Sequence, residues 1–159
     1  MMNWLTILTL VAAIGCGGVG GVFFAFSTFV MKALRRLPPR EAIAAMQATN
    51  VAVINPLFLG MFLGTGLTCA AAIVRALVRF SAPGTTWVIV GGALYLVGTL
   101  GVTMAFNVPL NNALAAVAPD DAEAPGRWAD YARRWTAWNH LRTVAALAAL
   151  AAFIVALRR

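Results

Sequence analysis

The sequence has little that can ionise and very little acid. Charged residues make up 11% of the 159 positions, and the stretches 1–31, 42–74 and 80–119 contain no Asp, Glu, Lys or Arg. A soluble domain of this length carries about 25% charged residues, so a water-exposed fold is excluded. There is one histidine, His140, and the two cysteines lie among Gly, Ala and Ile inside apolar runs. With so few ligating groups, a three- or four-ligand metal sphere and a bis-histidine haem are excluded, and no metal site is expected. Cys16 and Cys69 read as small packing residues. No glycine-rich phosphate loop follows a strand, no G-x-S-x-G turn occurs, and no basic aromatic sheet is present, which removes nucleotide, hydrolase and nucleic-acid readings.

What the chain has is apolar length. Hydrophobic residues make up 62%, and several uncharged stretches exceed the roughly 20 residues that cross a hydrocarbon core. The sequence therefore predicts an all-α, integral membrane four-helix bundle, residues 1–159 forming one domain, with spans near 4–30, 51–74, 87–106 and 141–157. Pro38-Pro39, Ser81-Ala82-Pro83-Gly84 and the 119–126 segment separate them. The first 31 residues lack a positive leader region and read as a retained first helix; the residues before Cys16 offer no lipid-anchor signal.

Pro39 opens a run of helix formers with no breaker until Pro56, so helix two is expected to begin outside the membrane and to kink at Pro56. Arg127–His140 flows likewise into span four, so helices two and four are both expected to extend beyond the bilayer. Lys32, Arg35, Arg36, Arg40, Arg127, Arg133, Arg134 and Arg142 lie toward that side, against Arg75, Arg79, Arg158 and Arg159 on the other. Eight basic residues against four place the extended ends and loops one and three in the cytoplasm of a bacterial-type cell membrane.

A weak internal repeat organises the two helical hairpins. Ala25-Phe26, then Ala33-Leu34 and Pro38, align with Ala105-Phe106, Ala113-Leu114 and Pro119. The alignment sets Ser27 beside Asn107 and, after the loops, Asn50 beside Asn139, as in two copies related by a pseudo-two-fold axis along the membrane normal. The pairs Gly17/Gly21 and Gly60/Gly64 read as seams where helices approach closely.

A polar side chain inside a span is costly, so its position is informative. Ser27, Gln47, Asn50, Asn107, Asn111, Trp135, Trp138, Asn139, His140 and Arg142 gather from all four helices at one membrane level. On helix four, Trp128, Tyr131, Trp135, Trp138/Asn139 and Arg142 recur at three-to-four spacing, giving either the wall of a pocket for a flat ligand or an interfacial aromatic belt. His140 is the first candidate for a general base, its bland alternative being a hydrogen-bonded histidine at the membrane boundary.

Four segments carry a family resemblance: Gly21-Val22-Phe23-Phe24-Ala25-Phe26-Ser27 with Val30-Met31; Met46-Gln47-Ala48-Thr49-Asn50; Asn107-Val108-Pro109-Leu110-Asn111; and Trp135-Thr136-Ala137-Trp138-Asn139-His140-Leu141-Arg142-Thr143. In these the chain resembles the anthrone-oxygenase-like family of small four-span membrane proteins, many of them domains of unknown function. The resemblance implies oxidation of anthrones, or of similar small hydrophobic phenolics, to quinones by molecular oxygen with no cofactor. It implies catalytic roles for His140, Asn139 and Arg142 and substrate contacts from Ser27, Gln47, Asn50, Asn107, Asn111, Trp135 and Trp138. The expected partners are the lipid bilayer and a small hydrophobic aromatic ligand, with no nucleic acid. The residues alone leave open a non-catalytic binding or transport module and a structural membrane subunit. Proton-coupled transport is disfavoured, since no span holds Asp or Glu.

Overall fold

The computed structural model describes residues 4–78, 80 and 82–159; Met1–Asn3, and with them Arg79 and Ser81 of the sequence argument, lie outside the described residues. Five helices follow one another: α1 Trp4–Leu34, α2 Pro39–Ala52, α3 Pro56–Val78, α4 Thr85–Ala115 and α5 Ala124–Leu157. Four of them, all but α2, are long and apolar enough to cross a membrane, with mean hydropathies of 1.9 to 2.1. Side chains on their outer faces are large and apolar, among them Leu57, Leu67 and Val97, each more than 70% exposed. In water such a surface would aggregate; in lipid it is the matching solvent. The chain is an integral membrane protein.

The four long helices form a ring in which α1 packs on α3 and α5, and α4 packs on the same two. That is the order two hairpins related by a two-fold axis require. Inside the ring the core is mostly small: Ala12, Cys16, Val19, Cys69, Ala72 and Ala149 close around Phe23, Phe62, Tyr95 and Phe153. The buried Tyr95 and Thr99 hydroxyls donate across to the Phe62 and Arg142 carbonyls of neighbouring helices, whereas other buried or half-buried hydroxyls are satisfied along their own helix. Thr9, Thr65, Thr103 and Thr143 each donate to the carbonyl four residues back, at 2.6 to 2.7 Å. Such back-bonding pairs these hydroxyls in a medium that offers no water. A second core, built from Ile43, Met46, Leu114, Trp128, Tyr131 and Trp135, joins α2 to the ends of α4 and α5.

The second helix differs from the sequence expectation. Pro56 does not kink a continuous helix; the chain breaks at Val53–Asn55 and restarts. The cause is local: Asn55 Oδ1 accepts the Phe58 N–H at 2.9 Å while Pro56, which has no N–H to lose, occupies the first helical position. An N-cap makes a new start cheaper than a bend. Asn55→Ala should therefore lower stability by about 1 kcal/mol, measurable as a fall in the unfolding midpoint in detergent.

The glycine seams are also placed differently. A Cβ at Gly21, Gly60 or Gly64 would meet nothing within 4 Å, and one at Gly17 would touch only Leu150. Close approach occurs instead at Gly15, where a Cβ would fall on the Thr65 side chain, at Gly92, within 2.7 Å of Ile73, at Gly98, within 2.6 Å of Ala145 Cβ, and at Gly91, within 3.1 Å of the Phe153 ring. Tight crossings therefore occur between α1 and α3, between α3 and α4, and between α4 and α5. At the opposite end of α4, Gly84 takes φ +80° beside the Ala156 carbonyl, a turn that only glycine enters without strain.

Candidate functional site

One face of α5 carries the site. Trp128, Tyr131, Trp135, Asn139, Arg142 and Thr143 follow helical spacing and are all buried, so the aromatic stripe faces inward as a wall. Opposite it, α1 and α4 each widen into π-helical turns, at Phe26–Val30 and at Leu94–Gly101 and Thr103–Asn107. These turns re-aim Ser27, Thr99, Thr103 and Asn107 at the wall, the use to which π-bulges are commonly put.

Arg142 is the centre. Its side chain crosses the interior 6% exposed, with Nε donating to Asn139 Oδ1 at 2.9 Å and Nη1 to Thr103 Oγ1 at 3.3 Å. The guanidinium carbon sits 3.8 Å over the Phe23 ring and 5.0 Å from the Trp135 ring. Among the described residues no carboxylate pairs with it: the four ion pairs belong to Arg40, Arg127, Arg133 and Arg134, all exposed. Burying a charge costs several kcal/mol, of which each desolvated aromatic face returns about 2 kcal/mol. Among the described residues, the interior cation has no carboxylate as counter-ion.

Asn139 orients that cation. It is fully buried, with Nδ2 donating to the Phe23 carbonyl at 2.8 Å and to Ser27 Oγ at 2.7 Å while Oδ1 takes the Arg142 bond. Thr143 Oγ1 closes the knot at 3.0 Å from Ser27 Oγ, and Thr99 Oγ1 donates to the Arg142 carbonyl at 3.3 Å. Asn139 donates twice through Nδ2 and accepts from Arg142 through Oδ1, so it acts as a positioning residue.

Beyond Trp135 the wall is less satisfied. Asn107, 1% exposed, donates Nδ2 to the Trp135 carbonyl at 3.3 Å, yet its Oδ1 has no partner. Trp135 Nε1 and Asn50 Nδ2 are likewise buried and unpaired. Tyr131 donates to Asn111 Oδ1 at 3.0 Å, and the Asn50 amide lies beside the same hydroxyl. Tyr131 also lines a groove of about 400 Å³, with Leu114 and Val117 opposite, which opens beside Arg127 and Arg134.

Three of the expected residues stand apart from this arrangement. His140 is exposed on the outer face of α5, about 100° around the helix from Asn139, and is not brought to the cluster. Trp138 stacks on Phe106 at 3.7 Å between ring centres, on the side where Phe106 is 39% exposed. Gln47 spends its amide on the Leu114 and Val117 carbonyls, at 2.9 and 3.0 Å, tying α2 to the end of α4. Ser27, Asn50, Asn107, Asn111, Trp135, Asn139 and Arg142 are brought to one wall. Sequence reasoning had Tyr131 in the stripe but missed Phe23, Thr99, Thr103 and Thr143 as members. The signals were present, since Thr103 lies one turn before Asn107 and Thr143 one turn after Asn139.

A family profile described as anthrone oxygenase matches residues 58–152, more than half of the chain. The chain belongs to the anthrone oxygenase family. No curated protein and no solved structure matches it. Within the matched region lie Asn107, Asn111, Trp135, Asn139 and Arg142, the α4 and α5 side of the wall; Ser27 and Asn50 are contributed by helices before it. The family match thus covers the buried cation itself, and α1 and α2 complete its surroundings.

Proposed function

We propose that this chain is a membrane-embedded oxygenase acting, without a resident cofactor, on anthrone-like aromatic polyketides or similar small hydrophobic phenolics. The observation that carries the reading is Arg142, buried between aromatic rings with no carboxylate of its own. An anthrone is flat and apolar, and it loses a proton from carbon to give an enolate. A buried guanidinium aimed at the enolate oxygen stabilises that anion far more than water-exposed charge would. The carbanion form then combines with molecular oxygen, and loss of water leaves a carbonyl, so that one ring methylene and one dioxygen give one ring carbonyl and one water. Both electron pairs come from the two C–H bonds of the methylene, and no external reductant is needed. Asn139 fixes the guanidinium, while Trp135 and Phe23 offer ring faces. The excess of basic residues near α2 and the start of α5 supports a cytoplasmic placement of that end.

One observation favours a second reading, a non-catalytic binding module for hydrophobic phenols. Among the described residues no imidazole or carboxylate bonds to the Arg142 cluster. In the oxygenase reading the proton therefore leaves to water, with acidity supplied by anion stabilisation.

Oxygen consumption and quinone formation by detergent-purified protein given anthrone separate the two. The oxygenase reading expects one oxygen consumed per quinone formed, and His140→Ala retaining activity within about 3-fold, since its ring faces away. Tight binding with no turnover above the protein-free rate selects the binding module. A loss of two orders of magnitude in His140→Ala would return the base role to that residue and overturn the anion-first mechanism.

A further inference from the structure

The charge-free first span ends at a cluster of cations. Lys32 is the first charged residue of the chain, and Arg35 and Arg36 follow it within about one helical turn. They continue the helical path of α1: the Arg35 N–H donates to the Met31 carbonyl at 3.1 Å and the Arg36 N–H to the Ala33 carbonyl at 3.0 Å. Phe29, Lys32 and Arg36 therefore share one outer face, and all three are exposed. The register of α5 on α1 is set by the contact of Ser27 with Thr143 at 3.0 Å and by the bonds of Arg35 to Ala132 and Thr136. At this level on α5 the exposed Val144 and Leu141 give way to His140 and, two turns on, to Arg133. Both helices thus pass from apolar to charged surface at one depth, the boundary between acyl chains and headgroups.

Arg35 is pinned at that boundary. Its Nη2 donates to the Ala132 carbonyl of α5 at 2.6 Å and to Thr136 Oγ1 at 3.2 Å. The hydrogens on its Nε and Nη1 have no protein partner among the described residues, and the guanidinium is held in place to offer them outward. Lys32 and Arg36 flank it. Among the described residues no carboxylate pairs with any of the three, whereas Arg40, Arg127, Arg133 and Arg134 each hold one. Glu41, the nearest acid in sequence, opens α2 beyond Pro38 and pairs with none of them. Three like charges so close repel one another, and the anion that offsets them comes from outside the chain. Phosphate oxygens are the anions that a membrane supplies at this depth, and charge-assisted bonds to them are among the strong ones.

We infer that Lys32, Arg35 and Arg36 form a headgroup site for an anionic phospholipid, with an acyl chain lying along the Phe29 face of α1. A zwitterionic lipid also carries a phosphate, but its ammonium group meets the same three cations. A headgroup of net negative charge, such as phosphatidylglycerol, is therefore the one selected. The site lies on the outer surface, apart from Arg142, and stands whether or not the protein is an oxygenase.

The test is lipid binding by the full chain in detergent. Native mass spectrometry gives Kd for phosphatidylglycerol and for phosphatidylcholine with the same acyl chains. Wild-type protein is expected to prefer phosphatidylglycerol by about 10-fold or more, since each basic residue at a membrane surface contributes roughly a 5-fold factor. Lys32→Gln with Arg36→Gln removes two exposed charges that hold no carboxylate, and should reduce the preference to within about 3-fold. Arg158→Gln with Arg159→Gln removes the same charge from the opposite end and should leave the preference intact. Arg35→Gln should also lower it, and as that variant loses two bonds to α5 its unfolding midpoint is measured alongside. Equal affinity for the two lipids in wild-type protein, or no binding of either, overturns the site. An equal loss in both double variants reduces the effect to net charge and overturns it too. Cations at a helix C-terminus also complement the helix dipole. If that is their whole role, Lys32→Gln with Arg36→Gln lowers the unfolding midpoint and leaves the lipid preference unchanged, which overturns the proposal. Inorganic phosphate that raises the midpoint as far as phosphatidylglycerol does would replace the lipid with a free anion.

Discussion

Replacement of Arg142 by methionine is expected to reduce anthrone oxidation by about 10²- to 10³-fold while leaving the bundle folded. The first half of the expectation follows from anion stabilisation: removing one preorganised donor to a developing oxyanion costs about that factor. The second follows from the absence of a carboxylate partner among the described residues. Deleting one partner of a buried ion pair strands the other charge and costs about 3–5 kcal/mol, but here no carboxylate is left behind. Methionine fills much of the same volume between Phe23 and Trp135, and the desolvation cost of the guanidinium disappears. Against that stands the loss of the bond to Asn139 Oδ1, about 1–3 kcal/mol for a buried acceptor left alone. The two effects nearly cancel, so the unfolding midpoint should move little while activity collapses. Arg142→Lys keeps the charge and loses the planar fork that reaches Asn139 and Thr103, and should fall between the two. A methionine variant that keeps full activity removes Arg142 from the mechanism; one that unfolds shows the cation to be structural.

The second large effect concerns packing. Gly98→Leu should destabilise by at least about 1–3 kcal/mol, because its Cβ alone would stand 2.6 Å from Ala145 Cβ and the α4–α5 crossing must open to admit it. Thr99 and Thr103, which hold the Arg142 carbonyl and guanidinium, lie within the next turns of α4. The same substitution should therefore also reduce ligand binding. Gly64→Leu is the control, since a Cβ there meets nothing within 4 Å and the added side chain lies against lipid. Its stability should stay within about 0.5 kcal/mol of wild type. Thermal unfolding of the two variants in the same detergent checks this. Equal destabilisation would move the helix seam back to Gly60/Gly64.

The gross architecture was legible because lipid imposes so few choices. Uncharged runs such as 80–119 permit only spanning helices, and the separators around Pro38, Pro83 and Pro125 close them. The polar level was legible for the same reason: a medium that penalises every unpaired polar group leaves Ser27, Asn107, Asn139 and Arg142 visible against an apolar background. Helical spacing on α5 sufficed to put Trp128, Tyr131, Trp135 and Arg142 on one face. Which glycines touch a neighbour was not legible, because Gly60-x-x-x-Gly64 and Gly98 present the same small surface and only the crossing of two helices distinguishes them.

The sequence by itself determined the class of the protein, its four spans, the level of its polar residues and its family. Tertiary structure decided which of those polar residues are spent and which are free. Asn139, Gln47 and Asn55 resemble Asn50 and Asn107 in composition and in depth along the chain. They are consumed by a hydroxyl, two carbonyls and a helix start respectively, while Asn50 and Asn107 keep open atoms. His140 and Arg142 differ by two positions in sequence, yet a rotation of about 200° along the helix sends one outward and the other into the interior. Hydrogen bonding and helix rotation are pairwise properties of the packed bundle. They depend on π-helical turns in α1 and α4 that no residue pattern announces, and they fix where a buried charge can meet a ligand.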